Sequence, residues 1–149
     1  MAFTNRKVYC SRVMTWLDRL PHQPPMRLLD AVTDVTPGVS AVGRRTAAAG
    51  DFYFQGHFPG QPVVPAVVLV EMLAQTGGIA VASAFDATAP VALRVAGIGP
   101  CKFPAAAGPG EVLEARARVV GRLGRLIKIE GEVTADGRLV GSGSLTLAD

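Results

Sequence analysis

Two side chains, His57 and Glu71, lie fourteen residues apart and have the types needed for paired acid–base chemistry. His57 sits in Phe54-Gln55-Gly56-His57-Phe58-Pro59-Gly60, hemmed by glycine, proline and aromatics, a setting that can fix an imidazole in mostly apolar surroundings. Glu71 falls about one and a half turns inside a long apolar segment, and Gln75 follows four residues later on the same helical face. A carboxyl in apolar surroundings has a raised pKa because desolvation disfavours its anion, while an imidazole titrates near neutrality. Together they would supply a base and an acid at physiological pH, suited to removing a weakly acidic proton while protonating a leaving group. A second reading fits the residues equally well, with Glu71 a hydrogen-bonded buried carboxyl and His57 a loop-packing residue.

The remaining reactive side chains offer less. Ser142 and Ser144 have no acid–base partner nearby in sequence, which disfavours a serine nucleophile. Cys10 and Cys101 show neither metal-like spacing nor a C-x-x-C pair, so no metal site and no disulfide framework are expected, and a reducing cytoplasm is the simpler setting. The other histidine, His22, is read as structural. Arg116, Arg118, Arg122 and Arg125 read as the exposed face of an antiparallel strand pair.

The elements that must position the pair follow from periodicity. Residues 11–20 place Val13, Met14, Leu17 and Leu20 on one helical stripe, with Ser11 as a cap and Pro21 as a stop. Strands are expected over 26–35 and 39–48, separated by the turn signal Thr36-Pro37-Gly38. Asp51 to Pro65, rich in proline and aromatics, reads as an irregular but ordered loop. Pro65 then suits the first position of a long apolar helix. Gly77-Gly78 inside that helix should cost about 1 kcal/mol each relative to alanine, offset by close packing of another backbone at that point. After a break at Ala87–Pro90 come strand-like runs at 91–98, 111–120, 125–134 and 138–147, the last two joined by the hairpin signal Asp136-Gly137. Strands around one long central helix make an α+β design, most economically a curved antiparallel sheet wrapped around the helix.

Bulk properties narrow the classes. The 149 residues fit one domain with a real core, residues 1–15 being a segment that can lie loose of it. With 49% hydrophobic and 18% charged residues, disorder is disfavoured. The net charge of +3 tolerates an acidic partner without demanding one, and scarce aromatics with no long basic run argue against nucleic acid. The N-terminus lacks the apolar core of a secretory signal. Ala66 to Phe85 approaches the length of a bilayer span, but Glu71 and Gln75 in its middle favour a helix buried in protein.

Residues 52–80, FYFQGHFPGQPVVPAVVLVEMLAQTGGIA, closely resemble the signature of the FabZ/FabA-type 3-hydroxyacyl-acyl carrier protein dehydratases. The likeness extends upstream to Leu20-Pro21-His22 and Leu28-Leu29-Asp30. Downstream it includes Ala96-Gly97-Ile98, Lys102-Phe103-Pro104, Pro109-Gly110-Glu111 and Asp136-Gly137-Arg138-Leu139-Val140. The G-H-F-P-G segment with an acid fourteen residues after the histidine is the specific part; the flanking matches are individually weak. Glutamate at position 71 resembles the FabZ branch, since FabA-type members typically carry aspartate.

The resemblance implies a hot-dog fold that dimerises, His57 coming from one subunit and Glu71 from the other, with a trimer of dimers as a further assembly. It implies dehydration of a (3R)-hydroxyacyl group on acyl carrier protein to the trans-2-enoyl product, in fatty acid or related lipid or polyketide synthesis. His57 would take the α-proton and Glu71 would assist departure of the hydroxyl, with Gln75 orienting the acid or a water. No cofactor is implied, because elimination needs only proton transfers. Ala66 stands where the family usually has a glycine whose N–H, at the helix start, stabilises charge on the thioester oxygen; Gly56 is a supporting position. Gln23, Ala31 and Met26-Arg27 also depart from the family pattern. Phe54, Phe58 and Phe103 are candidates for lining an acyl slot, and Arg94 and Lys102 for meeting the carrier protein or its phosphopantetheine phosphate. The rival readings are a hot-dog thioesterase using water activated by Glu71 and a catalytically weak acyl-carrier-protein binder.

Overall fold

A computed structural model describes residues 15–85 and 90–149. Six strands form one antiparallel sheet: β1 (Ala31–Thr36), β2 (Ser40–Thr46), β3 (Arg94–Lys102), β4 (Val112–Leu123), β5 (Leu126–Ala135) and β6 (Arg138–Ala148). Their order across the sheet is β1-β2-β4-β5-β6-β3. Among the described residues one long helix, α1 (Ala66–Ala82), touches β1, β2, β4, β5 and β6, so the sheet wraps around it in the hot-dog arrangement.

Alternation decides which face of the sheet meets the helix. Ala115 and Ala117 of β4 and Ile127, Ile129 and Val133 of β5 are buried, whereas Arg116, Arg118, Lys128 and Glu132 between them are exposed. Small residues let α1 approach closely. A Cβ on Gly131 would run into Leu73 and the Arg116 carbonyl, and one on Gly77 would overlap Ile129. The Gly77 compensation expected from a backbone therefore comes from the Ile129 side chain, and Gly78 faces open space. The arginines of β4 and of the turn after it behave as a solvated face: Arg116 pairs with Glu114, Arg118 with Glu130, and Arg125, in the turn, with Asp149.

The hairpin signal holds. Ala135 pairs with Arg138, and the two loop residues Asp136 and Gly137 both have positive φ (46° and 84°), the primed turn whose twist suits adjoining strands. The first strand is shorter than expected. Backbone groups of Met26 and Leu28 bond to the Gln75 side chain instead of a neighbouring strand, so β1 begins only at Ala31. Within the expected helix over 11–20, Trp16–Arg19 is a single 3-10 turn, in which Asp18 accepts bonds from the Thr15 N–H and hydroxyl. Ser11, Val13, Met14, Cys10 and nearly all of the 1–15 segment lie outside the described residues, as does most of the Ala87–Pro90 break. Pro65 caps α1 rather than opening it, a one-residue difference at a helix end. Among the described residues, no helix is long and apolar enough to cross a membrane.

Candidate active site

The histidine loop is held at both ends before it reaches α1. At its start, the Asp51 carboxylate gathers the Arg45 guanidinium at 2.8 Å, the Tyr53 hydroxyl at 2.7 Å and the Ala48 N–H at 3.1 Å. Tyr53 and Phe54 form a short 3-10 turn with Phe52 and are buried in the core. Burial pushes the Tyr53 phenol up to about 12, so it stays a donor to Asp51. Burial works against the Asp51 anion, yet the bonds from Tyr53 and Arg45 outweigh it and hold this carboxyl below its ordinary value. Sequence reading passed over this cluster; an Arg, Asp and Tyr scattered over nine positions carry no motif.

A pH dependence follows. Because the folded Asp51 pKa lies below the unfolded one, its contribution to stability is present above about pH 4 and lost as pH falls through the folded value. Glu111 acts in the same direction through the Gly108 N–H and Arg138, and Glu114 through Arg44 and Arg116. Urea melts between pH 6 and pH 3 should therefore show stability falling below roughly pH 4, with a shallower fall in Asp51→Asn. Equal slopes in parent and variant would remove Asp51 from this account.

Gly56 and Gly60 both have φ of 75°, which glycine adopts without strain, and they bracket the turn that presents His57. The His57 Nδ1 lies 2.9 Å from the Val63 carbonyl oxygen, and the Val63 N–H returns a 2.9 Å bond to the His57 carbonyl. A carbonyl can only accept, so Nδ1 carries the hydrogen and Nε2 keeps its lone pair as the basic nitrogen of the neutral ring. The Phe58 ring stacks on the imidazole at 4.1 Å and is 54% exposed.

Glu71 is placed by other partners. The Gln75 amide donates to Glu71 Oε1 at 2.9 Å and to the Met26 carbonyl at 2.7 Å, while its own oxygen accepts from the Leu28 N–H at 2.9 Å. Gln75 is 1% exposed, so this amide is a fixed clamp between α1 and the 26–28 segment. The second contact was not foreseen: His22 Nε2 lies 3.3 Å from the same Oε1. A reading of His22 as packing alone misses this contact, which no sequence spacing signals. Glu71 is also less isolated than its apolar neighbours suggested, being partly exposed and paired with polar groups.

Within one chain His57 and Glu71 share no hydrogen bond or ion pair; the structure brings Glu71, Gln75 and His22 together and sets His57 against Val63. Ala66 and Val67 open α1, and their N–H groups have no carbonyl within the helix to bond, whereas the Val68 N–H donates to the Pro65 carbonyl at 3.0 Å. Val67 is 74% exposed. Ala66 has no positive φ, so its methyl is compatible with the helix start. Phe54 is packed in the core, whereas Phe103 is partly exposed near Leu69 and Gly141. Arg94 and Lys102 are exposed at opposite ends of β3, about 25 Å apart at strand rise, so one phosphate cannot meet both. A groove of about 680 Å³ crosses the outer face of the sheet between Arg116, Arg118, Glu130 and Glu132, and its lining includes neither His57 nor Glu71. Among the described residues, no group of three or more His, Cys, Asp or Glu side chains is arranged to hold a metal.

Comparison with known proteins gives a consistent result. Residues 20–144 match the family model described as a FabA-like domain. A 3-hydroxyacyl-[acyl-carrier-protein] dehydratase FabZ from Jannaschia sp. is 39% identical over 130 residues, covering 85% of this chain and 81% of its own length. A protein of the same description from Roseiflexus sp. is 37% identical, covering 87% of this chain and 90% of its own. Among solved structures, a dehydratase heterocomplex, ApeI:P of Xenorhabdus doucetiae, superposes with a TM-score of 0.78 at 20% identity, covering 93% of this chain and 92% of that one. A hypothetical thioesterase with coenzyme A from Streptococcus pneumoniae gives 0.61 at 14% identity, covering 78% and 82%. At those identities the two structures speak for the fold alone.

Proposed function

The chain belongs to the FabA-like family, on its FabZ-type dehydratase side, and from that premise we propose that it converts (3R)-hydroxyacyl groups on acyl carrier protein to trans-2-enoyl groups. The observation that carries the reading is the His57 imidazole, tied through Nδ1 to Val63 so that Nε2 is free to accept a proton.

In this reading Nε2 of His57 takes the α-proton, and the electron pair moves toward the thioester carbonyl. The first-turn N–H groups of α1, at Ala66 and Val67, meet the charge developing on that oxygen, supported by the helix dipole. The bond from the β-carbon to its hydroxyl oxygen then breaks as Glu71 protonates that oxygen, and water leaves. The α-proton, now on His57, restores the Glu71 proton before the next turnover. Gln75 keeps the carboxyl in position, and Gly56 and Gly60 shape the loop that presents His57.

His57 and Glu71 do not touch within one chain, so we assign the acid opposite each histidine to a second copy. Support comes from apolar surface left open in the single chain, with Phe58 at 54%, Val67 at 74% and Ile98 at 64% exposure, and from β3, which pairs on one side only. A homodimer covers such surface, and a trimer of dimers is the further assembly. Phe58 and Phe103 contribute apolar wall to the acyl slot, and Arg94 or Lys102 steers the acidic carrier protein. The cysteine usage agrees with a cytoplasmic setting.

The test is incubation of the purified protein with a 3-hydroxyacyl-acyl carrier protein, read by mass spectrometry. Loss of one water from the acyl chain, absent in His57→Ala, is the expected result. Release of free acid would instead identify a thioesterase, and unchanged substrate a binding protein.

A further inference from the structure

We infer that His22 is a positioning residue that, with Gln75, decides which oxygen of Glu71 carries the working proton; this rests on the dehydratase reading above. Two donors converge on Oε1: the Gln75 amide at 2.9 Å and His22 Nε2 at 3.3 Å. Oε2 has no partner among the described residues. A carboxyl whose one oxygen already accepts two hydrogen bonds holds its own proton on the other oxygen. Oε2 is therefore the oxygen that meets substrate, and Oε1 is the anchored one.

The tautomer of His22 follows from an independent observation. Its Nδ1 is buried and has no hydrogen-bond partner. A protonated ring would place an N–H there with no acceptor, an arrangement that costs the desolvation of a strong donor without return. The neutral ring with hydrogen on Nε2 leaves only a lone pair unpaired and aims its single donor at Glu71. His22 therefore serves as a fixed neutral donor and does not exchange protons with substrate. The Gln75 clamp on Met26 and Leu28 holds the segment after His22 against α1, which fixes the distance between the imidazole and the carboxyl.

Three full-length proteins test this: the parent, His22→Phe, which keeps the bulk and removes the donor, and His22→Gln, which keeps an N–H of similar reach. Parent turnover of 3-hydroxyacyl-acyl carrier protein is measured first, since an inactive parent sinks the dehydratase reading instead of this one. His22→Phe should lose about 10- to 100-fold in kcat with KM within about twofold. Its melting temperature should change little, because the exchange removes the buried, unpaired Nδ1 together with one partly exposed contact to Glu71. His22→Gln should restore most of the turnover. Nitrogen NMR of histidine-labelled parent should show His22 as the Nε2–H tautomer at neutral pH. A His22→Phe protein as active as an active parent, a loss confined to KM, a failed rescue by a folded His22→Gln, or an Nδ1–H or charged His22 would each overturn the inference.

Discussion

Glu71→Gln is expected to lower kcat for 3-hydroxyacyl-acyl carrier protein by about a thousandfold and leave the protein folded. The substitution keeps an oxygen able to accept from Gln75 and His22 and replaces the other with an amide that cannot release a proton to a departing hydroxyl. Because the anchored side of the group is preserved, the melting temperature should move by no more than about 2 °C. Steady-state assay and thermal melting of the same preparation check both halves. A collapse in stability would turn Glu71 into a structural carboxyl held for the 26–28 segment, and near-parental turnover would take it out of the mechanism.

Mixing two dead proteins should restore activity. In the proposed mechanism, His57→Ala alone lacks the base and Glu71→Gln alone lacks the acid. If each site draws its histidine from one subunit and its carboxyl from the other, a mixed dimer contains one intact site and one doubly impaired site. Random exchange in an equal mixture makes half the dimers mixed, so about a quarter of parental activity should return. The two variants are unfolded together, refolded and assayed against each refolded alone. A mixture as inactive as its components, with mixed dimers demonstrated by mass spectrometry, would place base and acid in one chain and refute the shared site.

These two experiments differ in what made them foreseeable. The identity of Glu71 as a candidate acid follows from local sequence, because a carboxylate inside an apolar helical run is costly unless something holds or uses it. The same holds for the loop glycines beside His57, the hairpin at Asp136-Gly137 and the alternation of β4 and β5, all set by backbone preference or by a period of two. The family signature in 52–80 then identified the hot-dog arrangement that the structure displays.

Contacts that join distant segments were not legible. Sequence expected β1 to begin near Met26, since a β-like run continues there; Gln75, 47 residues from Leu28 in the chain, takes the backbone bonds that strand would have used. The Ile129 contact at Gly77 crosses from β5 to α1, and a glycine pair alone cannot say whether backbone or side chain fills the gap. His22 reaches Glu71 across 49 positions, and Arg45, Asp51 and Tyr53 meet only because β2 and the loop fold back on each other. Sequence by itself therefore determined the candidate side chains, the helix that carries Glu71 and the strand periodicities, because each is written in neighbours within a few residues. Tertiary structure alone decided which oxygen of Glu71 is anchored, which nitrogen of His57 faces a carbonyl, and that His57 and Glu71 do not meet within one chain, because hydrogen bonds depend on ångström-scale approach between segments whose separation along the chain carries no distance information.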